Sequence, residues 1–367
     1  MAAFFAGHLH DPEGSLCGNR QKFFGIMKCS AAVGAPAEAA GRTADTPGSV
    51  RRVRVLIALG GNAMTSADGN ARPEDQRAAI TLAMEEVAAI VASGAQVVLT
   101  HGNGPQVGNL LVKNELAAHV VPPVPLDWCG AQTQGTIGVL ILNALEAALA
   151  RRGVTAGRPA VLVSRTLVKA DDPHFSEPTK PIGRYLPAAE AEKMIEHGQT
   201  WRDMGAKGWR RVVASPEPVE CLDADAAHVL LDAGFTVVCA GGGGVPVIRD
   251  ESGAIAGVEA VIDKDLTAAL LGRQLGADVL LIATDVDAAM TGWGTPQARP
   301  LGSVSLARLR ELAGTGEFGT GSMGPKVEAA CRFAAGGGRA IITHLTAIEE
   351  ALAGRAGTIV TQDGAPD

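Results

Sequence analysis

Apolar positions along this chain fall into two alternating patterns. Short β-branched runs at 53–59, 96–100, 161–164, 236–240, 279–284, 340–343 and 357–360 predict buried strands. Between them, residues 74–92, a segment from Asn109, one from Leu126 to about Leu149, one opened by 261–265 and one from Val327 carry helical spacing. Ser93-Gly94-Ala95 closes the first helix, and Pro325 suits the first turn of the last. Strand and helix alternate, so an α/β fold of parallel strands with right-handed crossovers is expected. The loops after such strands share one edge of the sheet, where ligands bind.

Three of those loops are rich in glycine: Gly60-Gly61-Asn62, His101-Gly102-Asn103-Gly104-Pro105-Gln106-Val107-Gly108 and Gly241-Gly242-Gly243-Gly244. Bare backbone N–H groups beside a helix N-terminus can hold an anion. Neither Walker A nor GxGxxG fits, and taken alone the 101–108 loop reads better as a tight turn. Two such loops at one sheet edge favour a phosphate site instead, and four consecutive glycines cost too much chain entropy for purely structural use.

Around the loops stand candidate charges. Lys264, between Asp263 and Asp265, is either a charged and aimed lysine or an exposed neighbour of a capping aspartate. Lys326 follows 319–325 at a helix start, where a phosphate could sit. Residues 126–135 supply either a polar ligand wall or close helix packing at Gly130 and Gly135. Residues 166–211 read as a mostly irregular, lid-like insertion with one helix near 188–197. In it Lys180, between prolines, either reaches a substrate or faces solvent.

Composition narrows the classes. The 367 residues are 47% hydrophobic, ample for a core. A net charge of −7 argues against nucleic-acid binding, so positive charge for a phosphate must be concentrated locally. Six scattered cysteines without CxxC spacing suggest reduced thiols in the cytoplasm, not disulfides or zinc. No apolar run approaches a membrane span. Residues 1–52, low in complexity, are expected to be a disordered extension and not a cleaved signal, or an over-long start with Met27 the true beginning.

Ala58-Leu59-Gly60-Gly61-Asn62-Ala63, the 100–109 segment around His101-Gly102-Asn103-Gly104, and Pro178-Thr179-Lys180-Pro181-Ile182-Gly183 resemble carbamate kinase. So do 241–247, 258–265 and Gly321-Ser322-Met323-Gly324-Pro325-Lys326. The resemblance covers about 53–361 and implies the amino-acid-kinase fold: a three-layer αβα sandwich around one mainly parallel, about eight-stranded sheet, with a small protruding lid. It further implies a 53–235 lobe on the carbamoyl side, a 236–367 lobe on the nucleotide side, and a homodimer. The implied reaction is reversible phosphoryl transfer between ATP and carbamate, run toward ATP, with Mg2+ held mainly by nucleotide phosphates and water.

Phosphoryl transfer needs positioning and charge neutralisation more than covalent help. Catalytic expectations are therefore Lys264, Lys326, Asp265 and Lys180, with Gly60, Gly61, Asn62, Gly102, Asn103, Gly104, Gly241, Gly242 and Gly243 binding substrate or phosphate. Thr284, Asp285, Asp287, Met323 and Gly324 are expected at the nucleotide. Glu217, Trp128 and Asp285 depart from residues common in that family. Another acid kinase of the fold would want an Arg-rich pocket, which 101–135 lacks, and a non-catalytic sensor would have lost the lysines.

Overall fold

The computed structural model describes residues 52–61, 72–319 and 322–363. The expected extension, apart from Arg52, and the predicted ligand Asn62 lie outside them. Eight strands form the central sheet: β1 Arg54–Leu59, β2 Gln96–His101, β3 Pro159–Val161, β4 Thr236–Val238, β5 Val279–Thr284, β6 Ser303–Ser305, β7 Arg339–His344 and β8 Thr358–Thr361. Their order is β6-β8-β7-β5-β1-β2-β4-β3. Every neighbouring pair is parallel except β7 with β8. β4, which opens the expected C-terminal half, lies between β2 and β3 of the N-terminal half.

Nine helices are described: α1 Pro73–Ala92, α2 Gly104–Ala117, α3 Leu126–Arg151, α4 Ala188–Glu196, α5 Ala224–Asp232, α6 Lys264–Gln274, α7 Leu306–Gly314, α8 Met323–Ala334 and α9 Ile348–Leu352. Side chains alternate across a strand, so each strand feeds two cores. Val55, Ile57 and Leu59 of β1 pack with Leu99, Leu281 and Ile341 under α1, α3 and α9. Leu56 and Ala58 point the other way, with Val98, Leu280, Ile282 and Ile342, toward α5, α6, α7 and α8. Burial on both faces is why these strands read as continuous apolar runs. The result is the expected three-layer αβα sandwich.

Three expectations change. The strand expected at 161–164 is Pro159–Val161, because Ser164 has turned to brace a loop described below. α3 is long and apolar enough to cross a bilayer, contrary to the sequence reading. Yet Ile137, Ile141, Leu145 and Ala148 are buried in the core, as a soluble protein's helix would place them. The insertion is not mostly irregular: Lys180–Leu186, Trp201–Asp203 and Trp209–Val213 form an antiparallel sheet carrying α4. Leu186, Ala191 and Trp201 give it a core of its own.

That separate core makes a local prediction. Trp201→Ala removes about 3–5 kcal/mol of packing, as large-to-small core changes do, and only from the insertion. Hydrogen exchange should rise across 180–213 while β1, β2 and β5 keep their protection. Uniform loss of protection over the whole chain would contradict a separately cored insertion.

Candidate active site

β1 and β2 run side by side, so their terminal glycines meet. Gly102 N–H donates to Leu59 O at 2.9 Å, and Gly60 N–H donates to Ala283 O at 2.8 Å. A Cβ on Gly102 would lie 2.6 Å from Gly61 N and 3.3 Å from the Lys264 stem. On Gly241 it would strike the His101 ring at 2.3 Å, and on Gly242 the Asn103 amide at 2.1 Å. The three described glycine loops and Lys264 are thus in direct contact, and side chains there would push them apart. Gly104, at the first turn of α2, meets no such neighbour.

The third loop is held against strain. Ala240 has φ +53, the one positive value among described residues other than glycine, a conformation costing about 1–3 kcal/mol. Its N–H donates to Ser164 Oγ at 2.7 Å and its carbonyl accepts from Thr100 Oγ1 at 2.8 Å. Gln134 Nε2 donates to Gly241 O at 3.0 Å, and Asn103 Nδ2 donates to Thr133 Oγ1 at 2.8 Å. The polar start of α3 therefore braces the loops through Thr133 and Gln134.

The predicted charges assemble beside this junction. Asp265, at the second position of α6, accepts from Lys264 Nζ at 2.5 Å on one oxygen and from Lys326 Nζ at 3.0 Å on the other. Lys326 and Asp265 are buried. Burial works to raise the Asp265 pKa, but the two ammoniums overcome it and hold the carboxyl below the usual range. Burial lowers the Lys264 pKa; Asp265 opposes this and Lys326 adds to it. Lys180 reaches in from the insertion and donates to Asp263 Oδ2 at 2.8 Å. Asp263, a residue sequence reasoning did not count as part of the site, also caps α6, its Oδ1 accepting from Asp265 N–H and Leu266 N–H. Two lysines sharing one carboxylate at a helix N-terminus leave surplus positive charge for an anion.

His101 was named only as part of its loop. It is fully buried, its Nδ1 lies 3.0 Å from Gly102 O, and Nε2 has no protein partner. Burial, with a smaller push from Lys264, takes its pKa down to about 4.

At the C-terminal end of β5 a cleft of about 480 Å³ opens. Of the residues expected at a nucleotide, Thr284, Asp285 and Met323 line it, whereas Asp287 and Gly324 do not. A Cβ on Gly324 would sit 2.7 Å from Gly319 O, so the backbones approach closely there. Met290, Trp293, Glu317 and Phe318 also line the cleft. Trp293 and Phe318 are isolated aromatics in turns, which carry no periodic signal in the sequence. Of the departures, Trp128 is exposed, and Glu217 pairs with Arg332 of α8.

The model of the amino acid kinase family matches residues 53–344. A carbamate kinase from Pyrococcus horikoshii is 42% identical over 312 residues, covering 84% of this chain and 99% of that protein. A carbamate kinase-like protein of Escherichia coli is 40% identical, over 84% of this chain and 99% of its own. Among solved structures, carbamate kinase from Giardia lamblia bound to AMP-PNP superposes with a TM-score of 0.79 at 40% identity, covering 84% of this chain and 98% of its own.

The neutral His101 makes folding pH-dependent. A folded pKa of about 4 against 6.5 means its contribution is complete above pH 6.5 and is lost as pH falls toward 4. At about 1.4 kcal/mol per pH unit, roughly 2 kcal/mol should disappear between pH 6.5 and 5. Urea unfolding should show this extra loss in the wild type and not in His101→Gln. Parallel pH profiles for the two would count against a buried neutral imidazole.

Proposed function

The chain belongs to the amino acid kinase family, and from that premise we propose that it is a carbamate kinase, moving a phosphoryl group reversibly between ATP and carbamate. The observation that carries this reading is Asp265 holding two lysines at the junction of the glycine loops. The curated relatives at about 40% identity and near-complete coverage support it. The AMP-PNP of the Giardia lamblia enzyme supports a nucleotide in the cleft lined by Thr284, Asp285 and Met323.

In the ATP-forming direction, an oxygen of the ADP β-phosphate attacks the phosphorus of carbamoyl phosphate. The P–O bond to the carbamoyl group breaks, and its electron pair leaves with carbamate. In reverse, a carbamate oxygen attacks the γ-phosphorus. Carbamate is already ionised at neutral pH, so no general base is needed. What must be supplied is in-line alignment and positive charge around the transferred oxygens.

Lys264 and Lys326 supply that charge, and Asp265 keeps the two ammoniums side by side in spite of their repulsion. Lys180 adds a third cation from the insertion. The N–H groups of Gly61, Asn103, Gly104, Gly241 and Gly242 are offered to the planar anion, which has few other handles, whereas those of Gly60, Gly102 and Gly243 donate to Ala283 O, Leu59 O and Ala240 O and shape the loops instead. The carboxylate at the mouth of the cleft, Asp285, suits outer contacts to a hydrated cation, and Thr284 Oγ1 donates to it at 3.0 Å. Magnesium, carried by the nucleotide phosphates and water, would offset their charge. The same reading makes the protein a soluble cytoplasmic homodimer acting on small molecules, in keeping with the buried free thiols of Cys129, Cys221, Cys239 and Cys331.

ATP formation from carbamoyl phosphate and ADP with magnesium tests the reaction, with acetyl phosphate as competing donor. Strong preference for carbamoyl phosphate is expected; turnover with neither donor would overturn the assignment. Lys264→Ala should lower kcat at least ~100-fold, as loss of one preorganised charge-stabilising group does, with circular dichroism unchanged. Wild-type rates in that variant would remove Lys264 from the chemistry.

A further inference from the structure

Asp263 stands one residue before the lysine–carboxylate cluster and divides its two oxygens. Oδ1 accepts from Asp265 N–H at 2.9 Å and from Leu266 N–H at 3.2 Å, starting α6. Oδ2 is left for Lys180 Nζ at 2.8 Å. The backbones of the two partners are also joined. Lys180 is the first residue of its strand and pairs with Val213. The next residue, Ala214, bridges Ala260 and accepts from Val261 N–H at 3.0 Å. Farther along the insertion strand, Gly183 packs on α2, where a Cβ on Gly108 would lie 3.4 Å from Gly183 Cα. The insertion is therefore anchored beside Lys180, through Val213 and Ala214, and again at Gly183, which leaves the lysine side chain as the part to be positioned.

We propose that Asp263 is a positioning residue that holds Lys180 at the N-terminus of α6, its ammonium turned toward the phosphoryl donor. One of three N–H donors is spent on Asp263, and the others stay free for an anion. Ordering a long, flexible side chain before the ligand arrives removes a cost that binding would otherwise meet. The effect falls on the carbamoyl phosphate side, because Lys180 belongs to the insertion and does not line the cleft at Thr284 and Met323. This inference rests on the carbamate kinase reading for its substrate.

Asp263→Asn is the informative variant, since asparagine caps a helix about as well as aspartate and so leaves α6 in place. KM for carbamoyl phosphate should rise about tenfold, with kcat falling less than KM rises and KM for ADP within about twofold. Lys180→Met should do the same, and the double variant should be no worse than Lys180→Met alone, because the residues act through one contact. Equal rises in both KM values, or additive effects in the double variant, would overturn the proposal. A second readout needs no turnover. Acylation of lysines by an amine-reactive ester, read by mass spectrometry, should reach Lys180 faster in Asp263→Asn than in wild type, with exposed Lys193 unchanged. Equal labelling of Lys180 would overturn the tether. If the wild type does not use carbamoyl phosphate, labelling still decides the tether, and the reaction assignment alone falls.

Discussion

The rest of the site depends on one buried carboxylate. Asp265 is buried between Lys264 and Lys326, and each ammonium takes one of its oxygens. Removing charges from water is costly, and pairs recover that cost only when every partner is in place. Three elements meet that condition: Asp263 starts α6 at the right residue, α8 presents Lys326, and the contact of Gly61 with Gly102 leaves room for the Lys264 stem. Two ammoniums and one carboxylate sum to a single positive charge. In an acidic protein, that concentrates positive charge at the edge of the sheet where the glycine loops meet.

The sheet sets where this happens. β1 lies between β2 and β5, so the loops after all three strands open on one edge. There the glycines are defined by what they touch: His101, Asn103 and Gly61 fill the space that side chains would take. The strain at Ala240 persists because Ser164, Thr100 and Gln134 hold its loop in one shape. Hydrogen-bond donors ordered in advance favour a developing charge without reorganising during the reaction.

Much of this was legible in the sequence. The central strands announced themselves as β-branched runs, since burial on both faces leaves no alternation, and the glycine loops stood at their ends. Lys264, Asp265 and Lys326 could be named from their places at helix starts, although their sharing of one carboxylate is a tertiary fact. The insertion was misread as irregular because its strands are short and broken by Pro181, Gly183 and arginines, and its core rests on only Leu186, Ala191 and Trp201. Asp263 read either as a carboxylate aiming Lys264 or as a cap; it is the cap, and its second oxygen finds Lys180 across 83 positions. Trp293 and Phe318 gave no sign at all, because isolated aromatics in turns have no period to read.

The claim at the centre is that Asp265 organises charge for the transition state and not for the bound nucleotide. Calorimetric titration of the wild type and Asp265→Asn with ADP and magnesium, with and without aluminium fluoride as a mimic of the transferring phosphoryl group, tests it directly. Neutralisation at the transition state predicts similar affinity for ADP alone and at least ~100-fold weaker binding of the fluoride complex by the variant. Equal affinity of the two proteins for the fluoride complex would contradict it.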